Sequence, residues 1–172
     1  MLIQTTTASN QPGLASLDRT FLVESQLAIQ VRDGVLTYEV VPVREPYWKS
    51  YPPPAASAPD LGTVFVAQAG SAVVGLLAAS RHWSGIVEID DLAVSSAARR
   101  QGVGRALVEA AKGFVVERGF PGIRVETQSN NVGACMLYAR AGFCLAGFDT
   151  LLYCSTKGVE NEVALFWYWR CP

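Results

Sequence analysis

A short segment at residues 99–105 combines three arginines with two glycines. It reads Arg-Arg-Gln-Gly-Val-Gly-Arg. Apolar residues then recur with a period close to 3.6 from Val103 to Phe114, which predicts an amphipathic helix that begins at the glycines. The exposed amides and the dipole of a helix start favour an anion such as phosphate, and arginines add charge-assisted hydrogen bonds. The segment is therefore compatible with a binding site for a phosphorylated ligand.

Two common phosphate-binding motifs do not fit this segment. A P-loop requires Gly-Lys-Ser/Thr, which the segment lacks. A dinucleotide fingerprint requires a third glycine at position 107, where Leu107 stands. A Gly-x-Gly turn can also bind nothing, so the residues alone leave both interpretations open.

Four carboxylates lie on two predicted strands beside this turn. Residues 86–94 carry Glu88, Asp90 and Asp91, and residues 122–127 carry Glu126. Strand alternation places Glu88 and Asp90 on one face and Asp91 on the other, unless a bulge intervenes. Adjacent acids that interrupt an apolar alternation are compatible with a bulge. The carboxylates can act as a general base or can only attract and orient a cation, and both alternatives stay open.

The elements that position these residues form one predicted domain over residues 1–172, of which half are hydrophobic. We expect hairpins at 21–43 around Asp33-Gly34 and at 64–81, followed by strands at 86–94 and 122–127. One helix is expected from 103 to about 118, and a second one is expected to be capped by Asn130 or Asn131 and to end near Gly142. The closing strands are expected at 143–153 and 162–169. Residues 1–18 are expected to form a loose leader or one short helix.

Residues 44–60 contain five prolines and are expected to form a loop without a long helix. Its aromatic residues Tyr47, Trp48 and Tyr51 either line a substrate mouth or pin the loop to the core. The second alternative is slightly favoured, because a loop without helices needs anchors.

The spacing of these motifs resembles that of a known family. Arg99-x-x-Gly102-x-Gly104, after a strand that ends in Leu92-Ala-Val94, resembles the acetyl-CoA signature of the GNAT N-acetyltransferases. The segment Asn131-x-x-Ala134-x-x-x-Tyr138, followed by Ala-Gly-Phe, resembles the second cofactor element of that superfamily. Residues 125–128, 149–153 and 161–169 resemble the streptothricin acetyltransferases, which are antibiotic-resistance enzymes.

The resemblance implies an α/β (α+β) GNAT fold. Its central sheet would be mixed and mostly antiparallel, with a splayed central strand pair and flanking helices. The cofactor would be acetyl-CoA, with its diphosphate on the amides at residues 101–106. The implied cofactor-binding residues are Leu92, Ala93, Val94, Arg99, Arg100, Gln101, Gly102, Val103, Gly104, Arg105, Ala106, Asn131, Ala134 and Tyr138.

The same resemblance implies roles in acetyl transfer. Tyr138 would protonate the CoA sulfur, although it can also be a core aromatic. Asp90, with Glu88 as the second choice, would be the base, and a backbone amide at 92–94 would be the oxyanion donor. The substrate would be a small cationic amine, with the β-lysine amine of streptothricin as the first choice. The implied substrate-binding residues are Glu88, Asp90, Asp91, Glu126, Trp48 and Tyr51, with Asp149 and Glu162 as weaker contributors that surface solvation explains.

Two alternatives to this function remain. The first is a GNAT enzyme for another amine, such as an aminoglycoside, a polyamine or a protein lysine. The second is a non-catalytic sensor that binds acyl-CoA.

Composition restricts the partners of the protein. The net charge of −1 gives no overall attraction to nucleic acid or to an anionic membrane. The chain has four cysteines without a Cys-x-x-Cys pair and a single histidine, His82. We therefore expect neither a metal site nor a disulfide framework. We expect buried free thiols and a cytoplasmic protein, since no signal peptide or membrane span is recognised. Aromatic residues at 166–169 leave a monomer and a homodimer open.

Overall fold

The structure is a computed structural model, and it describes residues 2–6, 17–52 and 62–172. Its strands and α-helices are β1 (Leu2–Thr6), β2 (Thr20–Arg32), β3 (Val35–Ser50), β4 (Thr63–Ala69), β5 (Ala72–Arg81), β6 (Val87–Val94), α1 (Val103–Glu117), β7 (Gly122–Gln128), α2 (Val132–Arg140), β8 (Cys144–Asp149) and β9 (Ala164–Arg170). The chain divides into two compact units. Unit 1 comprises Met1–Thr20, Ser50–Arg124 and Arg170–Pro172, and unit 2 comprises Phe21–Lys49 and Val125–Trp169.

Unit 1 is built on an antiparallel sheet in the order β1-β4-β5-β6, with the start of β7 next in order. Helix α1 packs against this sheet, where Phe114 contacts Phe65 edge to face with ring centroids 5.8 Å apart. A Cβ atom on Gly75 would lie 2.9 Å from a methyl group of Val103, so glycine lets α1 approach β5 closely. A further apolar cluster is formed by Leu17 together with strand residues Val64, Val66, Leu76, Ala78 and Ala93.

Strand β6 contains a β-bulge in the middle of its acidic segment. Glu88 pairs with Ser80 of β5 and Asp91 pairs with Ala78, so three steps along β6 match two steps along β5. The extra residue is Asp90. Because an extra residue shifts the alternation by one, Asp91 lies on the same face as Glu88. The bulge is therefore confirmed. Regular alternation would have placed Asp91 on the face opposite Glu88, and the structure does not.

Unit 2 contains the β2–β3 hairpin as a two-stranded sheet, the end of β7, and β9 and β8 next in order. The hairpin turns at Asp33 and Gly34, with φ angles of 52° and 76°, as an Asp-Gly turn favours. Trp167 of β9 is buried. Its indole N–H donates to the hydroxyl of Thr127 at 2.9 Å, and its ring contacts Tyr38 edge to face. This indole ties β9 to β7 and to the hairpin.

The mixed α+β class, mostly antiparallel with one parallel strand pair, is confirmed. Both predicted hairpins, the strands at 86–94 and 122–127, and both helices are present with small boundary shifts. The splay of the central strand pair and the single domain stay predictions.

Three predicted segments were wrong in part. Residues 2–6 form a strand, not a loose leader or helix, because they pair with β4 from Leu2–Gln68 to Thr6–Val64. Residues 44–50 extend β3 and do not form a loop. The predicted strand at 143–153 ends at Asp149, and turns follow it. The remainder of the predicted leader at 7–16, and the predicted loop at 53–60, lie outside the described residues.

Candidate active site

The connection between β6 and α1 is a tight turn that ends at Gly102. After a short 3-10 helix at Ser96–Ala98, Arg100 and Gly102 adopt left-handed conformations with φ angles of 63° and 84°. Gly102 is the N-cap of α1, and no side chain of the described residues caps the helix there. A Cβ atom at Gly102 would meet nothing within 4 Å. The first amides of α1 have no acceptor within the helix, and a helix start of this kind can donate to a diphosphate group.

Arg99 directs its guanidinium group toward backbone carbonyls. Its Nε atom donates to Val94 at 3.1 Å, and its two Nη atoms donate to Thr20 and Asp18, each at 2.7 Å. These bonds fasten residues 18–20 to the end of β6. Since phosphate would compete for the same donors, we assign Arg99 a positioning role. The exposed side chains of Arg100 and Arg105 remain the candidates for phosphate contact.

Two of the three β6 carboxylates have an arginine partner. A carboxylate oxygen of Asp91 accepts from Arg19 Nη2 at 2.7 Å. Glu88 forms an ion pair with Arg124. The same carboxylate lies 3.9 Å from Nε2 of His82. Both charges are thus largely compensated in the ionised state.

Asp90 differs from its neighbours because its hydrogen-bond partner among the described residues is neutral. The hydroxyl of Ser80 donates to its carboxylate at 3.0 Å. The pKa of Asp90 is raised above its usual 3.8, first because neighbouring atoms displace water from the carboxyl, and also because Glu88 and Asp91 repel its charge. The residue keeps solvent contact, so this desolvation is partial. A raised pKa makes Asp90 a better proton acceptor than an ordinary aspartate.

Asn131, not Asn130, caps α2. Its side-chain oxygen accepts from the backbone amide of Ala134 at 3.1 Å. Further along α2, Tyr138 is only 2% exposed, and its ring packs on Phe143 with centroids 5.3 Å apart. A buried ring of this kind fits both a core aromatic and an enclosed proton donor, so the role of Tyr138 as an acid stays a prediction.

The other predicted substrate contacts are placed as follows. The carboxylate of Glu126, in unit 2, accepts from the hydroxyl of Tyr153 at 2.5 Å. Trp48 is 72% exposed, so it does not pin the chain to the core as the favoured alternative required. Tyr51 is half-buried. Their contact with a substrate stays a prediction.

A polar network in unit 2 was not predicted. Lys49 donates to Glu162 and lies 3.4 Å from the side-chain oxygen of Asn130. The Asn130 amide donates to Tyr47 at 2.9 Å and to Glu162 at 3.0 Å. Burial lowers the pKa of Lys49, and Glu162 opposes that shift. The expectation that solvation explains Glu162 was wrong, since it holds a partly buried ion pair.

The expectation that the cysteines are buried free thiols is met only in part. Cys135 is buried, but Cys144 and Cys154 are exposed. Within residues 2–6, 17–52 and 62–172, no three metal-ligating side chains come together. No helix in this described part is long and apolar enough to cross a membrane.

Comparison with known proteins identifies the family. The sequence profile of the acetyltransferase (GNAT) family matches residues 29–143. The chain belongs to the GNAT family. Streptothricin acetyltransferase A of Bacillus subtilis strain 168 is 30% identical over 178 residues, which cover 98% of this chain and 99% of that protein. The streptothricin acetyltransferase of Escherichia coli is 42% identical over 97 residues, so the match spans about half of each chain, 56% in both cases.

A solved structure gives the same fold and the cofactor. A Bacillus anthracis protein described as a streptothricin acetyltransferase, with acetyl coenzyme A bound, has 29% identity and a TM-score of 0.88 over 99% of both chains. The GNAT protein described here is accordingly an N-acetyltransferase that uses acetyl-CoA.

Proposed function

We propose that this GNAT enzyme acetylates an amino group on the β-lysine moiety of streptothricin and thereby inactivates the antibiotic. The observation that carries the proposal is the match of nearly the whole chain to streptothricin acetyltransferase A, at 98% and 99% coverage. Because the match includes the β2–β3 hairpin and the segment between β8 and β9, it extends beyond the cofactor motifs that GNAT enzymes share.

The start of α1 is the proposed diphosphate site. Gly102 leaves room at the helix start, and the amides of Val103 and Gly104 can donate to phosphate oxygens. Arg100 and Arg105 add positive charge, while Arg99 holds the turn. When bound, acetyl-CoA supplies the acetyl group as a reactive thioester.

Asp90 is the proposed general base. A lysine-type amine has a pKa of about 10 and is mostly protonated at neutral pH. It must lose a proton before its nitrogen can attack. The carboxylate of Asp90 accepts that proton, directly or through water.

Tyr138 is the proposed acid, and its hydroxyl would return a proton to the departing thiolate. The side chain of Asn131 lies at the start of α2, and we assign it to the pantetheine or pyrophosphate arm of the cofactor. An amide at residues 92–94 would donate to the carbonyl oxygen of the acetyl group. Dependence on acetyl-CoA favours the cytoplasm as the place of action.

The test is release of CoA thiol when protein, acetyl-CoA and streptothricin are mixed, with mass spectrometry to locate the added acetyl group. Kanamycin, spermidine and a lysine peptide serve as competing acceptors. Turnover of one of these but not of streptothricin would replace the substrate and retain the chemistry.

Substitutions test the two assigned roles. Asp90→Asn and Tyr138→Phe should each lower kcat by about 100-fold or more, with acetyl-CoA affinity nearly unchanged. Asp33→Asn, in the hairpin turn, is the matched control for the aspartate. Full activity of either site variant would remove its assigned role.

A further inference from the structure

Unit 2 contains a cavity of about 590 Å³ that none of the roles above uses. Its walls come from β2, the residue Tyr47 on β3, the connection between β7 and α2, and the segment between β8 and β9. The lining residues on which the inference depends are Tyr47, Asn130, Phe148, Glu160 and Glu162. The volume lies in the range of small-molecule sites.

The charged side chains that line this cavity are all carboxylates, as judged from the residues that the structure describes. Glu160 is exposed, and its pKa is lowered by backbone hydrogen bonds from its own amide and from Gly158, so it is ionised at neutral pH. Glu162 is paired with Lys49, which does not line the cavity. Two glutamates against one lysine leave a net negative cavity, which disfavours an anionic ligand.

Aromatic rings provide a second, independent feature. Tyr47 is 43% exposed and Phe148 is 40% exposed, and both line the same cavity. An exposed aromatic face attracts an ammonium or guanidinium group through its quadrupole. Carboxylates and open aromatic faces around one cavity are the combination that recognises organic cations.

The base of the cavity is held by the buried network described above. The Asn130 amide donates both to the Tyr47 hydroxyl and to one oxygen of Glu162, and Lys49 donates to the other oxygen. Since the Tyr47 hydroxyl accepts from Asn130, its own proton can be donated to a ligand oxygen. Each Glu162 oxygen also keeps a lone pair for a ligand donor. Lys49 is therefore a positioning residue that fixes the acceptors.

We propose that this cavity binds an organic cation, namely an ammonium or guanidinium group on a frame with hydroxyl or amide oxygens. Glu160 and Phe148 are the specificity-determining residues, and Glu162 and Tyr47 supply hydrogen bonds. The inference rests on the proposed function only in that streptothricin, the proposed acceptor, is the first ligand to be tested.

The test measures binding of streptothricin by calorimetry without acetyl-CoA, so that it does not depend on turnover. Glu160→Gln and Phe148→Leu should each raise the Kd for streptothricin about three- to fivefold, and the double variant should raise it further. Glu109→Gln, an exposed glutamate on α1, is the matched control and should leave the Kd unchanged. In turnover assays, Glu160→Gln should raise the KM for streptothricin but not the KM for acetyl-CoA.

The outcomes separate the two proposals. If the wild-type protein binds streptothricin and all variants bind it equally well, the cavity assignment is overturned, while acetylation of streptothricin can still stand. If streptothricin neither binds nor reacts, but kanamycin binds with the same dependence on Glu160 and Phe148, the cavity assignment holds and the substrate proposal fails. If none of streptothricin, kanamycin and spermidine binds, the cavity assignment is overturned.

Discussion

The guanidinium of Arg19 lies 2.7 Å from the carboxylate of Asp91, although 72 positions separate the two residues. Their side chains are only 6% and 16% exposed, so water screens the pair weakly. Arg99 holds the backbone on both sides of Arg19, through the carbonyls of Asp18 and Thr20. Arg99, in the turn before α1, thus holds the segment that carries Arg19, and Arg19 neutralises Asp91. Asp90 directly precedes Asp91 in the chain.

Arg19→Met should change the pH dependence of the reaction. Without the guanidinium, the charge of Asp91 repels the charged form of Asp90 more strongly, and the pKa of Asp90 rises further. The acidic limb of kcat/KM should move to higher pH by about half a unit to one unit. Arg19→Lys keeps the charge and should stay close to the wild type. An unmoved limb in Arg19→Met would show that Arg19 does not tune the base.

Asp90→Asn should make the folded protein more stable at neutral pH. The folded pKa of Asp90 is raised, so its favourable contribution is present below 3.8, the unfolded value, and is lost as the pH rises through the folded value. Asparagine removes the unfavourable charge and can still accept from Ser80. Urea unfolding should therefore give a higher midpoint for the variant at pH 7, with the difference shrinking as the pH falls through the folded pKa toward 3.8. A lower midpoint at pH 7 would contradict the raised pKa.

Lys49→Met should destabilise the protein by about 3 kcal/mol, because it leaves Glu162 ionised and largely buried without its cation. The exposed fractions of the two side chains are 8% and 14%. The double variant Lys49→Met/Glu162→Gln should recover a large part of the loss, since it removes both charges. Urea unfolding of wild type and the three variants, including Glu162→Gln, measures the coupling. Additive single losses would mean that the two residues do not act as a pair.

Thiol labelling should separate the cysteines into classes. Burial raises the pKa of Cys135 to about 11, so it should stay unmodified by a thiolate-directed reagent until the protein unfolds. Cys144 and Cys154 are exposed and should react rapidly. Mass spectrometry after short exposure counts the modified thiols, and a Cys144→Ser/Cys154→Ser variant should lose the fast fraction. Rapid labelling at Cys135 would indicate that α2 opens in the folded protein.

Local signals were sufficient for much of the fold. Asp33-Gly34 specified the hairpin turn, and Gly119, with a φ angle of 69°, ended α1 as expected. Each of these features depends on a few adjacent residues. Strand β1 was missed because it is formed by pairing with β4, more than 50 residues away, and its own five residues carry no distinctive alternation.

The prolines of residues 44–60 predicted a loop over the whole segment, and for residues 44–50 this prediction was wrong. Pro42 and Pro46 both lie inside β3, yet the strand continues to Ser50. A two-stranded sheet leaves one edge of each strand without a ladder partner, so a missing N–H on that edge costs no hydrogen bond. Composition alone cannot show which edge a residue occupies.

For the candidate site, residue types were predictable but their partners were not. The acids of β6 could be identified from the sequence, and their interrupted alternation was compatible with the bulge that the structure shows. The arginines that distinguish Asp90 from its neighbours come from positions 19 and 124, and no spacing rule links those positions to β6. The network of Lys49 is also long-range, since 113 residues separate it from Glu162.

Arg99 has main-chain carbonyls as its three closest acceptors, at positions 18, 20 and 94. Every amino acid carries the same carbonyl, so replacement of the side chains at these positions would leave the acceptors in place. Only a change at position 99 removes the donors. Evolution can therefore vary the residues around this turn one at a time, without compensating changes elsewhere, as long as the arginine itself is kept.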